Sequence, residues 1–477
     1  MSAPMICTAK IHKSWESRKS EVGSRKPYAL RPTPHAVMLK VLKYCQVLKD
    51  FIDFLDLICI FTVRSNSNGN AIMGKTLRVG ILRETKNPPD RRVPLTPPQI
   101  VALEELYPNV EFFVQPSDYR CYSNEEYEYL DIPLKEDLRD CDILMGVKEI
   151  DKRTFIPGKI YLFFAHVAKK QPHNLDMLIA MAEKKISLID FEYLTTDKGL
   201  RVVAFGRHAG IVGAYNGLRA RGIKTNKFKL KPAYQCHDLD EMWAGLKLIE
   251  LKPGLKILVT GDGRVAHGAM ETLAVANVEQ VTPDNYLNRD FDVPVCCQIG
   301  PEHYSIHKDR LKFSFQHFTK FPQEYESTFL PYSKVTDILI TGHFWDPRSP
   351  VFFTRDDMKR PDFRISIIAD ISCDVNGPIP STTRATTISD PFYAYNPFLE
   401  IEEPAFSKQT NITVMSIDNL PGELPRDASL DFGKMLMSNV LQDLLSETAS
   451  PMIERATIIR DGKLTPGYSY LNDYLNG

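Results

Sequence analysis

The chain has 477 residues, too many for one compact core, so two domains of ordinary size are expected. Hydrophobic residues at 43% and charged residues at 25% exclude a disordered or fibrous chain. The net charge of −1 is a sum of scattered charges of both signs, with no basic face or tail for nucleic acid or a membrane. Nine cysteines with no C-x-x-C and a single close pair, Cys296–Cys297, form neither a disulfide framework nor a zinc pattern. A reducing compartment is therefore expected, with no metal.

Residues 1–72 read differently from the rest. Lys10, Lys13, Arg18, Lys19, Arg25 and Lys26 precede an apolar run, 51–63, that is broken by Asp53 and Asp56. That run is too short and too acidic to span a bilayer, and it lies too far from the start for a signal peptide. Two readings remain: an organelle transit segment, or a start codon called too early with Met73 the working one. The second is favoured, which makes the cytoplasm the expected location, and an organelle the location if the first holds. Either way, residues 1–72 are excluded from the fold.

From Thr76 onward, short apolar strands alternate with helical stretches. Strands are predicted at 76–82, 111–114, 142–147, 160–165 and 186–191, with a helix capped by Thr96 and begun by Pro97, and another at 171–184. The apolar runs are continuous rather than alternating, as parallel strands buried on both faces require. A helix at 209–219, dotted with small residues, reads as a connector. A second series follows, with strands at 256–260, 335–340 and 364–371, and a last helix at 430–445 that returns to the first unit. The expected fold is α/β: two Rossmann-like domains with open, mostly parallel sheets and a cleft between them. Residues 73–205 and 431–477 form a substrate domain, and residues 206–430 a dinucleotide-binding domain.

Lys256-Ile-Leu-Val-Thr260 runs into Gly261-Asp-Gly263-Arg264-Val265-Ala266-His-Gly268, and a helix follows. This is the strand–G-x-G-x-x-(G/A)–helix pattern of dinucleotide-binding sheets. The first glycine makes the tight turn, the second admits the pyrophosphate to the backbone, and the small third residue lets helix and strand pack. The next strand, near 278–281, ends without a carboxylate. Asp284, 21 residues past Gly263, is the candidate for the adenosine ribose, and no arginine follows to accept a 2′-phosphate. NAD is favoured over NADP.

Three strand ends in the first unit carry chemistry. One delivers Lys148-Glu149, the next His166 followed by Lys169 and Gln171, and the third Glu192. Ligands bind at the carboxyl ends of strands in such sheets. A desolvated lysine or a histidine can move protons near neutral pH.

These residues carry a family resemblance. Gly146-Val-Lys148-Glu149, Phe164-Ala-His166 and Arg92-Val-Pro-Leu-Thr-Pro97 resemble the alanine dehydrogenase and pyridine nucleotide transhydrogenase superfamily. Asp190-Phe-Glu192, Arg201-Val-Val-Ala-Phe-Gly206, Ala369-Asp370-Ile-Ser-Cys-Asp374 and Ser416-Ile-Asp418-Asn-Leu-Pro421 are similar to its lysine-forming saccharopine dehydrogenase branch. The resemblance implies the reaction of saccharopine, NAD and water to give lysine, 2-oxoglutarate and NADH. By that resemblance Lys148 is the acid–base group at the substrate nitrogen, and His166 handles protons as water adds to the imine carbon. Glu149, Lys169, Gln171 and Glu192 surround the pair, and Arg92 and Arg201 hold substrate carboxylates. Asp370 and Asp418 join Gly261, Gly263, Arg264, Val265, Ala266 and Asp284 as the cofactor-binding group. The chain departs from the fungal pattern in its shorter glycine loop and in the segment 298–353, which lengthens the cofactor domain.

An alanine dehydrogenase-like enzyme would share Lys148, His166 and Arg92, but alanine has one carboxylate where saccharopine has three, which Arg201 favours. A non-catalytic NAD-binding regulator would be expected to have lost Lys148 or His166. The expected partner is a small amino-acid or oxo-acid substrate, with the oligomeric state open. A chain begun at Met73 should fold and keep full turnover; loss of soluble protein or activity would place residues 1–72 within the domain.

Overall fold

The computed structural model describes residues 76–87, 89–446 and 450–475, so the expectations for residues 1–72 lie outside the described residues. The first sheet begins with β1 (Leu77–Ile81), β2 (Val110–Val114), β3 (Ile143–Met145), β4 (Ile160–Phe163) and β5 (Ser187–Asp190). These run parallel in the order β5-β4-β3-β1-β2. Helix α1 (Pro97–Leu106) is one crossover, and α2 (Leu175–Glu183) is another. The second predicted helix starts late because Pro172–Asn174 form a separate 3-10 turn. Most of the predicted strands overrun the observed ones at the carboxyl end. There the backbone leaves the ladder to make other bonds: past β3, for example, the N–H groups of Val147 and Lys148 turn to a side chain.

The connector is a longer helix than its pattern suggests, α3 (Gly206–Thr225). A helix with five glycines is poor by propensity, since each costs about 1 kcal/mol against alanine. Packing offsets this. After α4 (Leu239–Leu246) and strand β6 (Lys256–Thr260) comes α5 (Arg264–Val275), and α3 lies directly against it. A Cβ at Gly210 would overlap the Val265 carbonyl oxygen, and one at Gly268 the Arg207 carbonyl. The two helix backbones touch there.

From β6 the second sheet adds β7 (Glu279–Gln280), α6 (Pro283–Asn288) and β8 (Val295–Ile299). A separate antiparallel pair, β9 (Ser305–His307) with β10 (Tyr325–Ser327), precedes β11 (Ile338–Thr341) and β12 (Ile367–Asp370). Next come β13 (Tyr393–Asn396), β14 (Ile401–Glu403) and β15 (Ile412–Met415). The order is β14-β13-β15-β12-β11-β6-β8-β7, with only β13 running antiparallel to the rest. The strand beside β6 on this edge is therefore β8, and β7, next after β6 in the chain, lies outside it. One face is packed by α3 and α5 through Ile211, Tyr215 and Leu273. The other is packed by aromatic residues, among them Tyr286, Phe329 and Phe353.

Helix α7 (Pro425–Asn439) begins five residues before its predicted start, because Pro425 suits a first helical position. It docks on the first sheet's elements: Gln99 Nε2 donates to the Leu430 carbonyl at 2.9 Å, and the Val93 N–H to Ser429 Oγ at 2.9 Å. The chain then adds β16 (Thr457–Arg460) antiparallel to β5, and β17 (Lys463–Leu464) outside it. The molecule is thus α/β, with two open, mostly parallel sheets. Among the described residues no helix is long and apolar enough to cross a membrane.

The glycine positions make a paired stability prediction. Gly210→Ala should destabilise by about 1–3 kcal/mol or more through overpacking. Gly245→Ala, in α4 with open space around it, should stabilise by about 0.4–1 kcal/mol. Urea denaturation of the two variants should give midpoints that move in opposite directions.

Candidate active site

Four parallel strands, β5, β4, β3 and β1, end side by side, and their carboxyl ends supply the candidate chemistry. Beyond β1, Glu84 accepts the backbone N–H of Val147 at 2.6 Å and of Lys148 at 3.0 Å, so it sets the course of the Lys148 loop. Burial pushes the Glu84 carboxyl up to about 8 against those two bonds, and the Asp90 charge adds to the rise. Burial, then the Arg92 charge, lowers the Lys148 ammonium from its ordinary value.

Beyond β4, the Ala165 N–H is tied to Asp190 Oδ2 at 3.2 Å, and His166 adopts a left-handed conformation with φ of 55°. His166 Nδ1 lies 2.5 Å from Glu149 Oε1, while Glu149 Oε2 faces Lys86 Nζ at 3.3 Å. Burial alone would raise the Glu149 carboxyl, but the His166 hydrogen bond and charge bring it down to about 2. With Glu149 ionised, Nδ1 carries the ring proton that faces it, which leaves Nε2 as the nitrogen free to exchange a proton.

Beyond β5, Glu192 is buried and bonded to Arg201, and its Oε1 also pairs with Lys169 Nζ at 2.9 Å. Its Oε2 is buried with no hydrogen-bond partner among the described residues. Its backbone N–H donates to Asp190 Oδ1 at 2.8 Å, and burial raises the Asp190 carboxyl to about 6.

Arg92 is not the open carboxylate fork expected of it. Its Nε and Nη2 bind Asp90 at 2.9 and 2.6 Å, Nη2 also donates to Asn419 Oδ1 at 2.8 Å, and its guanidinium lies 4.1 Å from the Phe205 ring centre. Only the Nη1 edge is left uncommitted to Asp90 and Asn419. Gln171 is exposed. Its Oε1 faces Asn174 Nδ2 at 3.4 Å, and its carbonyl accepts the Tyr474 hydroxyl.

The glycine loop has the features a dinucleotide needs. Gly261 has φ of +98°, and a Cβ there would meet the Gly342 carbonyl at 2.6 Å. A Cβ at Gly263 would meet nothing within 4 Å, so the backbone at the head of α5 is open to a ligand. Val265 and Ala266 form the first turn of that helix, with Ala266 fully buried. Arg264 Nη2 donates to the Arg201 carbonyl at 2.5 Å, tying the loop to the Glu192 group. Asn419 makes a second tie between the two sheets, through Arg92, and Asp418 is the exposed residue beside it.

Two expected cofactor residues fall elsewhere. Asp370 is buried with both carboxylate oxygens taken, Oδ1 by the Thr341 hydroxyl at 2.5 Å and Oδ2 by the Thr382 hydroxyl at 2.6 Å, so it serves the strand ends. Asp284 is exposed in the first turn of α6 and accepts from Asn288 Nδ2 at 3.0 Å.

Sequence reasoning missed Glu84, Asp90, Lys86 and Asn419. The available signal was that β1 is a central strand, whose carboxyl end should carry site residues as its neighbours' ends do. Among the described residues, His307, His317 and Glu324 have metal-ligand spacing. The Asp309 N–H, however, donates to His307 Nδ1 at 3.1 Å, so a neutral ring carries its proton on Nε2, facing Glu324 at 3.4 Å. That is a hydrogen-bonded pair rather than a ligand set.

Residues 80–212 match the family model of the alanine dehydrogenase/PNT N-terminal domain. The fold is that of L-alanine dehydrogenase, which superposes with a TM-score of 0.54 at 14% identity over 84% of this chain and 100% of that one. The chain is 27% identical over 388 residues to the saccharopine dehydrogenase (NAD(+), L-lysine-forming) of Emericella nidulans, covering 76% of this chain and 91% of the relative. It is 29% identical over 444 residues to the mitochondrial alpha-aminoadipic semialdehyde synthase of Mus musculus, covering 82% of this chain. It spans about half of that relative's length, 47%.

Glu84 makes a pH prediction. The folded protein keeps a proton on Glu84 that the unfolded chain releases above 4.5. Its contribution to stability is fully present below that pH and is lost as pH rises through about 8. Glu84→Gln, neutral throughout, should flatten the decline between pH 5 and 8, read as urea midpoints of both proteins across that range.

Proposed function

We propose that the chain is an NAD-dependent oxidoreductase acting on a CH–NH bond, interconverting saccharopine with lysine and 2-oxoglutarate. The observation that carries this is the delivery, by adjacent parallel strands, of two proton-transfer groups of different type: the desolvated Lys148 and a His166 oriented by ionised Glu149. Oxidising a secondary amine and then hydrolysing the imine needs two such stations.

Bound NAD would supply the hydride acceptor, with Gly261, Gly263 and the head of α5 holding its pyrophosphate. Lys148, its ammonium destabilised by burial and by Arg92, can take the proton from the substrate nitrogen and later return one to the departing lysine amine. His166 Nε2 can take the proton of the water that adds to the imine carbon, leaving an imidazolium that Glu149 stabilises through Nδ1. Lys169 and Arg201 hold Glu192 in place and present positive charge to a substrate with several carboxylates. Arg92 adds its Nη1 edge and its charge. The similarity of the chain to the fungal saccharopine dehydrogenases over most of their length supports this substrate. Cys121, Cys141, Cys236, Cys296, Cys297 and Cys373 are free thiols, which suits a reducing compartment, the cytoplasm or an organelle interior.

Lys148→Met should leave NADH binding nearly intact while kcat falls by roughly 10²–10⁴, the usual worth of a general acid–base group. The assay follows NADH absorbance with lysine plus 2-oxoglutarate. Turnover of pyruvate with ammonia, and none of lysine with 2-oxoglutarate, would overturn the substrate while leaving the Lys148–His166 pair standing.

A further inference from the structure

The carboxylate that receives the adenosine ribose in dinucleotide sheets sits at the end of the strand adjoining the glycine-loop strand. Sequence spacing looks for it after the next strand in the chain, which is β7. In this sheet, the next strand in the chain and the adjoining strand are different. β8 is inserted between β6 and β7, pairing with β6 from Lys256↔Val295 to Thr260↔Ile299.

β7 pairs only as far as Gln280↔Cys296, three residues short of the edge that β6 and β8 share. At about 3.3 Å per residue it stops roughly 10 Å below the glycine loop. Helix α6 then turns back toward the opposite edge: the carbonyls of Tyr286 and Arg289 accept from the side chain of Lys256, the first residue of β6, at 2.7 Å each. Asp284 is thereby set back from the loop.

The end of β8 is fastened to the loop instead. The Gly261 N–H donates to the Ile299 carbonyl at 2.8 Å, and Gln298 Nε2 donates to the Gly261 carbonyl at 3.0 Å. The chain continues Gly300-Pro301-Glu302, and the Glu302 carboxylate folds back over Gly300, where a Cβ would meet Oε2 at 2.5 Å and Oε1 at 2.7 Å. Glu302 stays half exposed, with Nε2 of the neighbouring His303 at 3.6 Å. Its charge and that of Asp262, in the glycine loop, both act on the Tyr304 hydroxyl.

The geometry points to Glu302, in place of Asp284, as the residue that accepts the adenosine ribose hydroxyls and selects NAD over NADP. This rests on the dinucleotide reading above and adds its specificity determinant. A carboxylate accepts hydrogen bonds from a 2′-hydroxyl and repels a 2′-phosphate. The small residue at 300 keeps the space in which the carboxylate folds back.

The test is direct titration of the full chain with NADH and with NADPH, by nucleotide fluorescence and by the shift in melting temperature, with no substrate present. The wild type should bind NADH more tightly. Glu302→Gln should weaken NADH binding about five- to tenfold, and Glu302→Arg should move the NADH-to-NADPH affinity ratio at least tenfold toward NADPH. Asp284→Asn should leave that ratio unchanged. Unliganded melting temperatures matching the wild type show that the exposed substitutions fold. Unchanged ratios in both Glu302 variants, or a loss of NADH binding in Asp284→Asn, would overturn the assignment while the dinucleotide reading stands. A wild type that binds neither nucleotide would overturn both.

Discussion

Arg92 is a permanent cation with only 3% of its surface exposed, so its charge has to be answered from inside the protein. Asp90 answers it along one edge of the guanidinium, Asn419 from the second sheet, and the Phe205 ring from below. The same charge holds Asp90 at about 2 even though burial alone would raise it, and it helps depress the Lys148 ammonium. Phe205 in turn stacks on Phe432 with ring centres 4.4 Å apart, and both meet Phe164, the residue two before His166. One buried ion pair therefore joins the two sheets, biases the candidate acid–base lysine and rests on the aromatic floor beneath the candidate histidine. Removing one partner of such a pair would leave an uncompensated charge in place, which is why it acts as a constraint on everything around it.

Much of the fold was legible because parallel strands buried on both faces leave uninterrupted apolar runs, as in Lys256-Ile-Leu-Val-Thr260, where all five residues are buried. The glycine loop was legible for a related reason: Gly261 occupies a backbone region that other residues avoid. Strand ends were read too long, since a residue such as Val147 looks the same in the sequence whether its N–H meets a neighbouring strand or Glu84. Helix α3 was read too short because its glycines count against it locally and are offset by close packing, in part on residues distant in the chain such as Val265, Ala369 and Ile371.

For the candidate site, chemistry at strand ends could be read, and charge pairing could not. Glu149 meets His166, and Lys169 and Arg201 meet Glu192; Lys148 feels the Glu149 charge. Whether an arginine faces a ligand or a carboxylate two residues away depends on the turn between them, and Arg92 and Asp90 differ in this from what the motif suggests. Asp370 lies in a motif that resembles a cofactor strand, yet hydroxyls from Thr341 and Thr382 occupy it, contacts across 29 and 12 positions that periodicity does not report. Sheet order is the deepest of these limits, because the insertion of β8 beside β6 leaves no local trace in the residues of either strand.

The closing of the first sheet by β16 has a consequence for how the chain is made. Until β16 arrives, β5 is an edge strand with an unpaired row of N–H and C=O groups, a template for pairing with other chains. Roughly 270 residues separate β5 from its partner, so at the pace of synthesis that edge stays open on the order of tens of seconds. The whole second sheet is made in that interval. A nascent molecule therefore carries its candidate acid–base strands complete but unsealed. The device that protects them from self-association is a strand made only after the second sheet, which makes timely arrival of Thr457–Arg460 a requirement for yield rather than for chemistry.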